Sequence, residues 1–321
     1  MSGQMFVEKI SPLCRPPVTQ IPIVLIHGDH QTGAGWFRKP DGREGWAQFF
    51  ASRGFIVLVV DLPFHGRSAG IITPDSRTTI LTADVVESQM TAPQKNPEWP
   101  SASAHTQWPD TGLRGDSIFD RYFQSVVPEY LDTKERQIAG QRAVKNLLQG
   151  IRRPAILIGH GSGANIAWLV ADDAPQYVKA VVAVEPVGPA FGSTITVRDD
   201  NYCHGTNIRA IKGVRQFGIT DIPLNFDPPA DVPSGDTLLS SSFQPIPHIK
   251  LPNLQRMPHA VVTSEASPHS VFDWATVKFL TQAGVRVQHV ELEKFGIHGN
   301  GHLCFLEKNS DMIANLILSW L

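Results

Sequence analysis

Short apolar runs, set off by stretches rich in glycine and proline, recur along the chain. Residues 21–28 (IPIVLIHG) and 55–60 (FIVLVV) are dense in Val, Ile and Leu, so each reads as a buried strand that breaks into a loop. Between them, residues 45–54 put Trp46, Phe49 and Phe50 on one side of an amphipathic helix. Strand, helix and strand at this spacing predict a parallel sheet with crossover helices. The pattern resumes with a helix over 134–148 and a strand over 155–158. Further strands are expected at 178–184, from His259 and at 285–292, with helices over 271–283 and 310–321. Two stretches interrupt it. Residues 69–132 lose periodicity but carry Trp99, Trp108, Phe119, Tyr122 and Phe123, which argues for packing over disorder. Residues 187–257 hold many prolines and, at most, a short helix near 207–214. With no internal repeat and no second core, the expectation is one α/β domain over 1–321. Its mostly parallel, doubly wound sheet has helices on both faces, an insertion at about 69–132 and a cap at about 187–257.

The stretch AILIGHGSGANIAW, residues 155–168, has the layout of a nucleophile elbow: strand, sharp turn, helix, with a reactive side chain raised at the bend. The pattern is Gly-x-nucleophile-x-Gly, and Gly159 and Gly163 place the nucleophile at 161, which is glycine. Glycine adopts strained elbow backbone without cost, so Gly161 preserves the bend and deletes the hydroxyl. A shifted register with Ser162 attacking would need small residues at 160 and 164, and position 160 is histidine. Ser162 is instead expected to offer its backbone N–H to an oxyanion, as the residue after an elbow nucleophile does.

Composition narrows the function classes. Across 321 residues, 42% hydrophobic and 18% charged content with a formal charge of −2 gives no electrostatic case for nucleic acid or an anionic membrane. Cys14, Cys203 and Cys304 are odd in number and far apart, neither a metal pair nor a disulfide framework, which favours a reducing, cytoplasmic setting. The N-terminal residues lack a basic start followed by an apolar core, and no apolar run approaches the ~20 residues that span a bilayer. None of the twelve histidines forms an HxxxH pattern on an expected helix, and Gly159, Gly161 and Gly163 lack the third glycine of a dinucleotide loop, so no metal and no cofactor is expected.

The landmarks IHG at 26–28, D-x-P-x-x-G-x-S at 61–68, the elbow, and a histidine after the last strand occur in the order found in the α/β-hydrolase superfamily, which the chain resembles over nearly its full length. HTQWP at 105–109, Glu185-Pro186 and the GIHGNGH…LEKN segment resemble, more narrowly, a bacterial and fungal group of serine esterases. That resemblance implies an α/β-hydrolase fold and a Ser-Glu-His triad with Glu185 as acid, His302 as base and Gly161 where the serine would stand. Glu265 is the rival acid, since many hydrolases place it after the following strand. Asp29, after His27-Gly28, is the candidate second donor of an oxyanion hole through its backbone N–H. His30, Trp36, Trp108 and Phe191 are candidates for a substrate-pocket wall, although core packing is the commoner fate of aromatics. The functional expectation is an enzyme acting on a carbonyl of a fairly apolar small molecule. With Gly161 it would work by non-covalent acid–base chemistry such as cyclisation, condensation or isomerisation, or stand as a nucleophile-replaced esterase. A ligand-binding pseudo-hydrolase is the alternative. The expected partner is a small-molecule substrate, with a homodimer as candidate assembly.

Overall fold

The computed structural model describes residues 3–12, 19–68, 77–198, 204–210, 214–229 and 249–321. Seven strands form the central sheet: β1 (Phe6–Ile10), β2 (Ile23–Ile26), β3 (Val57–Asp61), β4 (Ala155–His160), β5 (Val178–Val184), β6 (His259–Thr263) and β7 (Val287–Glu291). Their spatial order is β1-β3-β2-β4-β5-β6-β7; β1 runs antiparallel to β3 and every other pairing is parallel. Residues alternate across the pleat, so one strand feeds two cores. Ile23 and Leu25 pack into one apolar cluster and Val24 and Ile26 into the other, all four fully buried. Helices α1 (Trp46–Ser52) and α5 (Ser310–Trp320) cover one face. Helices α2 (Thr133–Ile151), α3 (Ser162–Asp173) and α4 (Asp273–Gln282) cover the other.

The winding positions the site. From β2 the chain crosses to β3 on one side, and from β4 onward it steps the other way, so the order reverses between β2 and β4. Loops leaving the carboxyl ends of two such neighbours diverge and leave a crevice. The loop after β2 carries Gly28 and Asp29, and the turn after β4 carries Gly161.

Two expectations change. The segment expected to form a short helix near 207–214 contains instead a strand, His204–Ala210, paired antiparallel with Gly192–Arg198. The partner strand, GSTITVR, has four β-branched residues in a row, Thr194 to Val197, and cross-strand pairing outweighs a weak helical pattern. Residues 77–132 hold short helices and a two-stranded ribbon packed onto the domain: the Trp99 indole donates to the Ala266 carbonyl at 3.1 Å. Cys304 is buried and free, while Cys14 and Cys203 lie outside the described residues. No helix among the described residues is long and apolar enough to cross a membrane.

Candidate active site

Strand β4 ends at His160, Gly161 turns with φ 54° and ψ −126°, and α3 begins at Ser162. The flanking glycines are dictated by contact. A Cβ on Gly159 would lie 2.4 Å from the Gly163 carbonyl oxygen, and one on Gly163 would lie 2.3 Å from that of His27. Gly161 differs. Its Cβ would have Gly28 Cα at 3.5 Å and the Asp29 amide nitrogen at 4.0 Å as nearest neighbours, so the apex has room for a side chain. The Gly161 amide donates to the Val184 carbonyl at 3.1 Å, tying the apex to the end of β5.

Glu185 follows β5 with a positive φ of 52° and is fully buried. Its Oε1 accepts from the Ser264 amide at 2.6 Å, and its Oε2 accepts from the Ser267 hydroxyl and faces His302 Nδ1 at 3.4 Å. Burial pushes this carboxyl up despite those bonds and the neighbouring His269. The His302 ring is pushed down to about 3 by burial, reinforced by charge on His269, and so stays neutral. Parallel to it stands His269, ring centroids 4.8 Å apart and planes 8° apart. The His269 Nδ1 lies 3.3 Å from Asp273 Oδ1 and 4.0 Å from Glu185 Oε2. On the other side the His160 ring lies 4.5 Å from that of His302, and its Nε2 meets the His302 carbonyl at 3.0 Å. Glu185, His269 and His302 hold one donor atom each within 4.8 Å of one another, the spacing of a metal-ligand trio. The carboxylate, however, already accepts from Ser264 and Ser267 and faces both Nδ1 atoms, so the cluster is satisfied as a proton-sharing group.

The loop that carries His302 is clamped from outside. The Thr106 and Gln107 amides donate to the Gly299 carbonyl at 2.9 and 3.1 Å. Buried Glu307 accepts from the Gly301 amide at 3.0 Å and the Asn300 side chain at 2.7 Å, and pairs with His105 Nε2 at 2.7 Å. The HTQWP and GNGH…LEKN motifs thus hold each other, and through each other they hold His302.

Across the crevice, the Asp29 carboxylate accepts from Arg136 at 2.7 Å, and Arg136 also pairs with buried Glu129. Glu129 in turn accepts from the His30 amide at 2.6 Å and contacts His65 Nε2 at 3.0 Å. Burial alone would raise the Asp29 carboxyl; the Arg136 guanidinium and the Ser162 hydroxyl outweigh it and hold that carboxyl below its ordinary range. Asp29, His65, Arg136 and Ser162 border a cavity of ≈ 90 Å³ beside the elbow, whose wall mixes Leu62, Ile166 and Val187 with Asn165 and Arg215. A larger cavity of ≈ 370 Å³ under α5, lined by Val182, Val290 and Trp320, contains none of the residues of the crevice.

Residues 23–316 match the family model described as "Alpha/beta hydrolase family". The chain belongs to the alpha/beta hydrolase family. It is 35% identical over 319 residues to "Probable secreted lipase phiG" of Fungal sp. (strain ATCC 74256), a match spanning 99% of this chain and 85% of that one. Among solved structures it is similar to a novel bacterial esterase, with a TM-score of 0.61, 20% identity, and 98% and 84% of the two chains covered. A monoacylglycerol lipase of Paleococcus ferrophilus superposes with a TM-score of 0.48 at 12% identity over 99% and 98% of the two chains.

In this alpha/beta hydrolase Gly161 and Ser162 turn beside Asp29, and Glu185 faces His302, whose ring lies against that of His160, the residue before the apex. Glu265, the rival acid, is elsewhere: it accepts from the Gly299 amide at 2.8 Å and faces exposed His298 at 3.3 Å, so it braces the loop instead of touching His302. His30 lines a separate cavity of ≈ 210 Å³ with Gln31, Tyr122 and Phe305. The aromatics expected in a pocket wall are core residues. Trp36 packs on Trp46 and Phe305, Trp108 on Tyr122, and Phe191 on Phe279, each 4% exposed or less. Buried area is the larger gain for side chains of that size. Sequence reasoning passed over His269, Asp273, Arg136 and Glu129, because their partners are distant in the chain. The i,i+4 spacing of His269 and Asp273 was the one local signal available.

Proposed function

We propose that this alpha/beta hydrolase acts on the carbonyl of a small molecule by acid–base chemistry without a covalent intermediate. The observation that carries the reading is the apex at Gly161: a side chain fits there and none is present, with the Asp29 amide nitrogen 4.0 Å from the Cβ position, while Glu185 faces His302 Nδ1 at 3.4 Å. On this reading the Asp29 and Ser162 amides receive the carbonyl oxygen, and the N-terminal end of α3, a helix of 12 residues, favours the negative charge that develops there. Neutral His302, oriented through Nδ1 by Glu185, takes a proton at Nε2. The space left by the absent hydroxyl then belongs to the substrate, whose own carbon or oxygen can react with the polarised carbonyl. Cyclisation, condensation and isomerisation all meet these terms. The mixed wall of the cavity beside the elbow fits a substrate that is less uniformly apolar than its composition alone would suggest.

A second reading, an esterase whose serine has been replaced, is favoured by the same room at Gly161 and by the lipase and esterase descriptions of its relatives. A cytoplasmic site of action is the reading from cysteine usage, whereas the 35% identical relative is described as secreted. The test is a thermal-shift screen of small ketones, lactones and esters, followed by a crystal structure with the best binder. The acid–base reading expects the ligand oxygen within hydrogen-bond reach of the Asp29 and Ser162 amides, with its reacting atom toward His302 Nε2. A ligand seated in another cavity would refute it.

A further inference from the structure

We propose that His269, paired with Asp273, is a second acid–base group of this site and acts as its proton donor, with His302 as the neutral proton acceptor. The inference rests on the acid–base reading above and adds the group that reading lacks. Moving a proton within a substrate requires one group that takes and one that gives. The two imidazoles are built alike. Each has a buried carboxylate at Nδ1, Glu185 at 3.4 Å for His302 and Asp273 at 3.3 Å for His269. Each leaves its Nε2 without a protein partner among the described residues. Both rings are mostly buried, at 16% and 10% side-chain exposure, and they stack in parallel at 4.8 Å. Asp273 is fixed in turn by the Thr263 hydroxyl, which donates to its Oδ2 at 2.7 Å and contacts His289 Nε2 at 2.9 Å.

The charges around the pair are unequal. His269 faces two carboxylates, Glu185 and Asp273, and feels Arg215 only as a weaker opposing charge. His302 faces Glu185, but neutral His160, His269 and Asp29 complete its surroundings, and Asp29 is spent on Arg136. Two like rings in contact do not both hold a positive charge in a buried site, and the ring with two carboxylates keeps it. Burial works against charge on His269, yet Glu185 and Asp273 outweigh it and raise its affinity for the proton. A pair of titratable groups driven in opposite directions is an acid and a base.

The step balances without any further reactant. His302 Nε2 removes a proton from the carbon beside the carbonyl. The C–H electron pair becomes the enolate, whose oxygen rests on the Asp29 and Ser162 amides. His269 Nε2 then returns a proton to carbon, at the same position or one displaced along a conjugated chain. That leaves His302 protonated and His269 neutral, and water carries the proton back. The product is an isomer of the substrate.

The experiment uses the whole protein with ring-nitrogen NMR of its 12 histidines, assigned by His269→Gln and His302→Gln. At pH 7 both ring nitrogens of His269 should be protonated and His302 should be neutral. In His269→Gln the His302 midpoint should rise by about one pH unit or more, because Glu185 then has His302 alone to pair with. Should that variant fail to fold, Asp273→Asn serves: the His269 midpoint should fall. A neutral His269, or a His302 midpoint unmoved in the folded variant, overturns the inference. The second arm follows deuterium entry beside the carbonyl of cyclohexanone in D2O. His302→Gln should lose about 10²–10⁴-fold. His269→Gln should lose at least about tenfold and flatten the alkaline limb of the pH profile. Exchange that persists at wild-type rate in His269→Gln refutes the donor role alone. No catalysed exchange in the wild type, with the charges divided as stated, refutes the acid–base reading and the donor role with it.

Discussion

Gly161→Ser tests the crevice most directly, because the cost and the gain of the substitution are both set by geometry. The new Cβ would stand 3.5 Å from Gly28 Cα and 4.0 Å from the Asp29 nitrogen, ordinary van der Waals distances, so no atom has to move. The remaining cost is the backbone: φ 54° is left-handed, and holding a non-glycine residue there costs about 1–3 kcal/mol. For a domain of this size that lowers the melting temperature by about 2–10 °C. Gly159→Ala and Gly163→Ala are the controls, since their Cβ atoms would lie 2.4 and 2.3 Å from backbone carbonyl oxygens that have nowhere to go. Both should express poorly or melt far lower than the serine variant. The serine hydroxyl would meet a base already oriented by Glu185, which supplies a covalent route that glycine lacks. The assay is hydrolysis of 4-nitrophenyl acetate and butyrate, with labelling by a fluorophosphonate probe. Gly161→Ser should label and turn over ester, and the protein with glycine should not. A variant that melts as predicted yet neither labels nor hydrolyses would mean that His302 and the two amides do not converge on the apex.

Ser162→Ala should leave the protein's own reaction within about threefold in kcat/KM, since on this reading Ser162 contributes a backbone N–H; a loss of several orders of magnitude in a folded variant would make its hydroxyl the attacking group. In the Gly161→Ser background, adding Glu185→Gln should lower esterase kcat by about 10²–10⁴. Adding Glu265→Gln should instead change thermal stability more than kcat, because Glu265 braces the Gly299 loop; the opposite ranking would transfer the acid role. Asp172 offers a stability test. It is 2% exposed near the C-terminal end of α3, its Oδ2 accepts from the Asn225 amide and side chain, its Oδ1 has no partner, and burial raises its pKa to about 6. A carboxyl raised above its unfolded value favours folding while protonated, so its contribution declines as pH rises from about 4 to about 6 and is flat above. The stability of Asp172→Asn relative to the parent should therefore grow by about 2–3 kcal/mol between pH 4 and pH 7.5, measured by urea melts. A difference that does not vary with pH would mean the carboxyl is not perturbed.

The parts of this protein legible in its sequence are those written in neighbouring residues. Strands such as Val57–Asp61 announce themselves because a sheet covered on both faces needs near-continuous apolar runs. The elbow is legible because Gly159 and Gly163 meet steric demands within one turn of the chain. Glu185 and His302 could be paired from the order of landmarks, although 117 positions separate them. The pairing of His204–Ala210 with Gly192–Arg198 was not legible, since strand pairing is a non-local choice that a short window cannot weigh. Nor was the burial of Trp36, Trp108 and Phe191. An aromatic beside a site motif reads the same whether it turns toward substrate or core, and only the packing partners, Phe305, Tyr122 and Phe279, decide it. The second histidine was hidden for a related reason: His269 becomes notable only when folding lays its ring on His302.

One arrangement in the crevice looks at first like an obstacle to the reading. Asp29 is asked to donate its amide to a developing oxyanion while carrying a carboxylate on the same residue. A bare carboxylate about 5 Å from such an oxygen would oppose it by roughly 3 kcal/mol at an effective dielectric near 20. The protein answers with Arg136, whose guanidinium holds Asp29 at 2.7 Å and pairs with Glu129 as well. Arg136 thus offsets part of the carboxylate's charge, while it also serves Glu129, which His65 contacts at 3.0 Å. Glu129, far from the elbow in sequence, is buried at 3% exposure and shares the one guanidinium with Asp29. Asp29 is held below its ordinary carboxyl range by this pairing, so the hole keeps the same charge on both sides of neutral pH. Any pH dependence of an oxyanion-forming step then falls to the histidine pair opposite. On the acid–base reading proposed above, one wall of the crevice fixes charge and the other moves protons.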